Sequence, residues 1–461
     1  MATIYLESIV RAPHLLSITY RFETYRFEVA LWYDIDLEAV EQRYSKQFMD
    51  NVYFHIAAFE INKLTSLQPN YIDFGQYAPF VTESFWQLWQ TVQQKVWSQW
   101  RYEHDLPDYK IALANPFAES TMGKKDIIKG DIEVLSFFGG GKDSLVAARL
   151  LEKNNIPYSA FVYAHSIYGK TEKQHDIIDT LLNTLSPQKV HKQYVFDSFV
   201  DSPILKFEKR INIQSLTAAE TPSSIFACLP LMLTEGYLHI ALAHEHSANV
   251  GNVIWEKTGE DVNHQWGKSF EAEQLLNGYI QANLLSNFSY FSLLQPINDV
   301  LIFNFLRQDL DKVLFAHSCN IEKPWCKRCP KCAYVWLNYM AYLPVDLVNT
   351  IFDDVNLFDL DENKTAFQQM LGFGAHTPFE CIGQVAESRL ALYLCYQKGL
   401  RGKAMQWYEK IKTDNFKDIV QKFTLIHQGN GLPKKFEAVL KPHFEAVQKE
   451  ALNYFKLFIN H

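Results

Sequence analysis

A stretch that reads EVLSFFGGGKDSLVAARLLEK, residues 133–153, leaves the backbone few choices. EVLSFF has the length and composition of one buried strand, LVAARLLEK carries apolar residues at helical spacing, and three consecutive glycines turn the one into the other. The alternation then repeats: YSAFVY reads as a second strand, EKQHDIIDTLLNTL as a helix, KQYVF as a third strand, and LHIALAH as a fourth after another helical stretch. Strands alternating with helices build βαβ units and a parallel sheet. Ligands of such sheets bind beyond the carboxyl ends of the strands, and GGGKDS lies at one of those ends.

Successive glycines let the backbone take positive φ and bring N–H groups close to an anion, and the helix beginning near Ser144 adds its N-terminal partial charge. Lys142 adds a point charge, Ser144 a hydroxyl donor, and Asp143 a carboxylate that holds the loop or reaches Mg²⁺. Gly139, Gly140, Gly141, Lys142, Asp143 and Ser144 are therefore read as a phosphate cradle in preference to a plain glycine-rich turn. It is not a Walker loop, because the G-x-x-x-x-G-K-[ST] spacing is absent.

A second dense motif is SCNIEKPWCKRCPKC, which contains Cys319, Cys326, Cys329 and Cys332. Two C-x₂-C steps sharing Cys329, with a fourth cysteine upstream, suit four thiolates around a tetrahedral Zn²⁺ at about 2.3 Å. Four protein ligands leave no open position, so the ion is expected to be structural. Lys327, Arg328 and Lys331 help keep the thiolates ionised.

Composition narrows the class. The chain has 461 residues, more than one core usually organises. Three regions are expected: an N-terminal α+β domain over 1–128, where alternating TIYLESIV and LLSITYRFETYRFEVALWY predict antiparallel strands and residues from Thr82 a long amphipathic helix; a parallel-sheet domain over 129–345; and a helical region over 346–461. Residues 115–130 read as the linker between the first two. Lys+Arg 44 against Asp+Glu 52 gives 44 − 52 = −8, which argues against a nucleic-acid partner. No run approaches the roughly 18 apolar residues of a membrane span, and MATIYLESIVRAPH does not read as a signal peptide, so a cytoplasmic protein is expected. Seven cysteines in such a chain point to thiols or a metal site and not to disulfides.

FFGGGKDSLVA resembles the PP-loop of the ATP pyrophosphatases, usually SGGKDS, with Gly139 where that pattern has serine. The resemblance implies an adenine nucleotide alpha hydrolase-like fold, Mg-ATP as cosubstrate, AMP transfer to a carboxylate or carbonyl oxygen, and release of pyrophosphate through the loop. Tyr163 and His165, at the end of the second strand, would by the same resemblance lie beside the adenosine. A similar cysteine cluster accompanies the PP-loop in 7-cyano-7-deazaguanine synthase, a much shorter enzyme. Taken in order, GGGKDS, EHSANVGN, VNHQW-x-KS, YFSLLQPI, the SCN…WC-x₂-CPKC cluster and PFEC-x-G resemble the UDP-N-acetylmuramoyl-L-alanyl-L-glutamate epimerases, a PP-loop family of peptidoglycan precursor synthesis.

That resemblance implies inversion of a terminal L-glutamate through an acyl adenylate. Removing the Cα proton beside a free carboxylate places negative charge next to negative charge, whereas an adenylated carboxyl is a good electron sink, so a modest base suffices and reprotonation from the other face inverts the centre. Members of the set Glu245, His246, His264, Lys268 and Cys381 are the candidate acids and bases, with Glu245 alternatively a Mg²⁺ ligand. Adenylation of another carboxylate or of a nucleobase, as in 7-cyano-7-deazaguanine synthase or a tRNA-modifying enzyme, is the alternative.

Overall fold

The computed structural model describes residues 2–119, 123–208, 211, 216–429 and 431–459. Strands β1 (Thr3–Ala12), β2 (Leu15–Phe22) and β3 (Tyr25–Trp32) form the antiparallel meander that the alternation predicts. In β2, Leu16, Ile18, Tyr20 and Phe22 are buried while the residues between them are half-exposed. Strands β4 (Tyr71–Asp73) and β5 (Ala112–Leu113) add to this edge in parallel.

The βα alternation yields β6 (Val134–Phe137), β7 (Tyr158–His165), β8 (Val190–Asp197) and β9 (His239–Leu242). After the small β10 (Val253–Trp255) and β11 (Glu260–Val262) hairpin comes β12 (Ser289–Ser292), a fifth parallel strand contributed by YFSLLQPI. The parallel strands stand in the order β8-β7-β6-β9-β12, so the chain moves outward from β6 on one side and then returns to its other side. The crevice lies where the order reverses, at the carboxyl ends of β6 and β9.

Sequence periodicity does not reveal that the meander and the parallel strands are one sheet. Residues Val29–Trp32 of β3 pair antiparallel with 194–197 of β8, giving ten continuous strands. Each face carries its own core, and the alternation of side chains assigns neighbours to different ones: Leu135 packs with the meander and helix Lys46–Glu60, Val134 with helices Lys142–Lys153 and Pro330–Tyr342. The C-terminal region is helical as expected, with Val385–Gln397 and Lys434–Phe455 packed into the second core. No helix among the described residues is long and apolar enough to cross a membrane.

The stretch expected as a linker is tied down where it is described: Lys125 N–H donates to Leu284 O at 2.9 Å and Gly130 N–H to Gly236 O at 3.0 Å; residues 120–122 lie outside the described set. Gly236 ends helix Leu229–Glu235 at φ +79, and a Cβ there would lie 2.2 Å from Gly130 N. Left-handed backbone and a close backbone neighbour both demand glycine. Gly236→Ala is expected to lower stability by about 1–3 kcal/mol, read as a lower urea midpoint with an unchanged slope.

Candidate functional site

A cleft of about 290 Å³ opens at the β6/β9 reversal. Its floor is the glycine loop: Gly139, Gly141, Asp143 and Ser144 line it. Gly140 takes φ +74, and a Cβ there would come within 2.6 Å of the His317 ring. In return His317 N–H donates to Gly140 O at 2.9 Å, which clamps the loop to the segment entering the cysteine cluster. The space above Gly139 is open, and helix Lys142–Lys153 begins at Gly141 without a side-chain cap. Uncapped N–H groups at the start of a three-turn helix, facing a cleft, suit an anion.

Lys142 departs from its expected place. Its ammonium is buried beneath the loop, 2.5 Å from Asp143 Oδ1 and paired with Asp299, and it is not part of the cleft wall. Burial opposes its charge, but Asp143 and Asp299 outweigh burial and raise its pKa. Asp299 also accepts from the Tyr334 hydroxyl at 2.7 Å. Glu387, beside it, accepts from Ser247 Oγ at 2.7 Å and from Gln384 and Val300 N–H; burial and the Asp299 charge push it up to about 7. Glu245, expected as an acid, base or Mg²⁺ ligand, joins this buried network: its carboxylate accepts from Ala248 N–H, and burial and Asp299 raise its pKa.

The wall cations come instead from Lys268, Lys323 and Lys331. The last two belong to the cysteine knuckle, which periodicity marks only as a metal motif. Its four sulfurs lie within 4.8 Å of one another, with Cys319–Cys329 at 3.9 Å and Cys326–Cys332 at 3.8 Å. A tetrahedron of sulfurs 2.3 Å from a central ion has edges of about 3.8 Å, so the set fits Zn²⁺. The knuckle thus shapes the cleft by presenting its lysines to it.

Cys381 meets Lys268 and His264, which lie more than a hundred residues before it. Lys268 Nζ lies 3.0 Å from Cys381 Sγ, and both line the cleft. His264 Nδ1 is 2.6 Å from Gln99 Oε1, a partner from the N-terminal region that orients the ring beside the thiol. Burial works against ionising Cys381, but Lys268 and a hydrogen bond with His264 bring it down to about 6. Glu380 holds the backbone, accepting from Cys381 N–H at 2.9 Å and from Asn320 at 2.8 Å. His246 does not join them: its ring stacks on His427 at 3.4 Å.

Of the two expected adenosine neighbours, Tyr163 lines the cleft, whereas His165 is fully buried, its Nδ1 accepting from Ile167 N–H and its Nε2 2.8 Å from Lys63 Nζ. Lys63 pairs with Glu60 and stands 3.2 Å from Glu220, which reaches the cleft from the start of helix Glu220–Ala227. Neither motif nor periodicity singles out Lys63 or Glu220, since both depend on the N-terminal region packing against the parallel sheet.

A thiol titrating near 6 is mostly thiolate at neutral pH and loses reactivity as pH falls through that value. Iodoacetamide labelling of Cys381, followed by peptide mass spectrometry, is expected to rise with pH through about 6. Lys268→Met should move the midpoint upward.

Residues 221–293 match the MurL N-terminal domain and residues 315–417 the MurL C-terminal domain. Three relatives share the name UDP-N-acetyl-alpha-D-muramoyl-L-alanyl-L-glutamate epimerase. The protein of Salinispora tropica is 29% identical over 267 residues, covering 56% of this chain and 55% of its own. That of Micromonospora sp. is 28% identical over 316 residues, 66% of each chain, and that of Xanthomonas oryzae pv. oryzae 28% over 275 residues, 57% of this chain and 56% of its own. The alignments therefore span between 55% and 66% of these relatives' length. With both MurL domains matched in order, the chain is similar to the MurL proteins over residues 221–293 and 315–417.

Proposed function

We propose that the protein is an ATP-dependent epimerase of peptidoglycan precursor synthesis that inverts the terminal L-glutamate of UDP-N-acetylmuramoyl-L-alanyl-L-glutamate, by way of an acyl adenylate and with release of AMP and pyrophosphate. The observation that carries this reading is that a phosphate-type glycine loop and a thiolate held by Lys268 and His264 line a single cleft. In the alternative adenylations such a thiolate would attack the activated carbon instead of removing a proton, so inversion is what separates the two readings.

Each group has a task in this scheme. Gly139, Gly141 and the uncapped helix start receive the phosphates, with Lys323 and Lys331 from the knuckle as counter-charges. Asp143, exposed to the cleft at the loop, is the residue to hold Mg²⁺, which would neutralise phosphate charge there. Lys142 supports the loop from below. Once the glutamate carboxyl is adenylated, Cys381 as thiolate takes the α-proton, and Lys268 stands beside the oxygen on which the enolate charge develops. Hydrolysis of the mixed anhydride then returns the carboxylate and makes the cycle irreversible.

The deciding assay follows pyrophosphate and AMP with Mg-ATP and the UDP-muramoyl-dipeptide, then determines the chirality of the released glutamate. D-Glutamate together with pyrophosphate is expected; pyrophosphate without inversion would redirect the reading to amide or nitrile formation. Gly140→Ala, which forces a side chain into His317, should reduce pyrophosphate release while leaving Cys381 labelling intact.

The knuckle is assigned a structural Zn²⁺. Elemental analysis should find one zinc per chain, absent in Cys329→Ser. Because Lys323 and Lys331 ride on the knuckle, its loss should lower both thermal stability and pyrophosphate release.

A further inference from the structure

Inverting a carbon centre calls for proton transfer on two faces, and the groups named so far provide one. Several cleft-lining groups have no role in that scheme. Glu220 stands out. Its side chain is buried, 7% exposed, yet lines the cleft, and among the described residues its carboxylate has no hydrogen-bonding neighbour besides Lys63. Lys63, 3.2 Å away, is its ion-pair partner, but that ammonium is shared with Glu60 and faces Asp197 and His165 as well.

We propose, on the basis of the epimerase reading above, that Glu220 is the acid/base group that serves the second face of the substrate's α-carbon, paired with Cys381. The two are held in one frame. Gly267, one residue before Lys268, packs so closely on the Glu220–Ala227 helix that a Cβ there would lie 3.1 Å from Pro222 Cδ. Tyr168, which also lines the cleft, feels the charges of both Glu220 and Cys381.

Their environments bring both groups to titrate near neutral pH, the thiol first. Burial pushes Glu220 up to about 7, with Glu60 and Asp197 adding repulsion that Lys63 only partly offsets. Cys381 sits at about 6. Near neutral pH Cys381 is therefore mostly thiolate while about half of the Glu220 carboxyls hold their proton, so the pair can supply a base on one face and an acid on the other. In one turnover the Cys381 thiolate takes the α-proton and the C–H electron pair moves onto the activated carbonyl oxygen. That pair then returns to form a new C–H bond with the Glu220 proton on the other face. Nothing is oxidised or reduced, and solvent restores both groups. Lys63 and Glu60 are positioning residues, carried in from the N-terminal region.

The test uses the full chain in D₂O with Mg-ATP and either epimer of the UDP-muramoyl-dipeptide. Pyrophosphate release, inversion and loss of the α-proton are followed separately, the last by NMR. Glu220→Gln is expected to keep pyrophosphate release, to lose inversion by about 10²–10⁴-fold, and to exchange the α-proton of one epimer only. Cys381→Ser should exchange only the other epimer, and Glu220→Asp should recover part of the inversion and the missing exchange. Inversion at the unmodified rate in Glu220→Gln overturns the assignment, as does loss of exchange from the same epimer in both variants. It is equally overturned if pyrophosphate release falls in step with inversion in Glu220→Gln and Glu220→Asp recovers neither. Pyrophosphate release without inversion by the unmodified protein would instead overturn the epimerase reading itself, a result visible before any variant is made.

Discussion

The ion pair between Lys142 and Asp299 lies under everything the cleft presents. It joins the first residue of the helix after the glycine loop to the first residue of helix Asp299–Leu306, with neither side chain reaching solvent. From Asp299 the contacts run to Tyr334 in the helix that follows the cysteine knuckle, and the neighbouring Glu387 accepts from Ser247 and from Gln384 N–H, the N-cap of its own helix. Five separate parts of the chain thus hang on one buried charge cluster. Removing one partner of such a pair typically costs about 3–5 kcal/mol, because the other is left charged and dry.

That cluster holds more carboxylates than cations. Asp143, Asp299 and Glu245 act on a single ammonium, Glu387 adds its charge beside Asp299 and Glu245, and the pKa values of Glu245 and Glu387 rise accordingly. The same arrangement occurs on the far side of the cleft, where Glu60, Asp197 and Glu220 share Lys63. In both places one lysine fixes the geometry and the surplus carboxylates are driven toward protonation. Of the carboxylates whose pKa is raised in the two clusters, Glu220 lines the cleft whereas Glu245, Glu387 and Asp197 do not, so it is Glu220 that is placed for proton transfer.

Lys63 reaches the site because the meander is not a separate body. The β3–β8 pairing makes a ten-stranded sheet, and one core runs from Ile4 to Tyr290 across it. Helix Lys46–Glu60 is thereby laid against helix Glu220–Ala227, where the Phe59 and Phe226 rings stack at 4.2 Å. Gln99 is delivered to His264 by the same packing.

What the sequence alone determines here is local. The period of apolar residues specifies each strand and helix around β6 to β9, the glycines specify the turn after β6, and the spacing of Cys319, Cys326, Cys329 and Cys332 brings four sulfurs together, because each rests on chemistry within a few residues. The tertiary structure alone decides which polar residues work together. Of EHSANVGN, VNHQWGKS and PFECIG the first reads as the best placed, since it follows a strand end, yet packing sends its Glu245 into the Lys142 cluster and its His246 onto His427, and leaves Lys268 and Cys381 at the cleft with His264 beside the thiol. Glu220 and Lys63 carry no motif at all. Their character comes from burial and from neighbours more than a hundred residues away, and neither is written in the residues beside them.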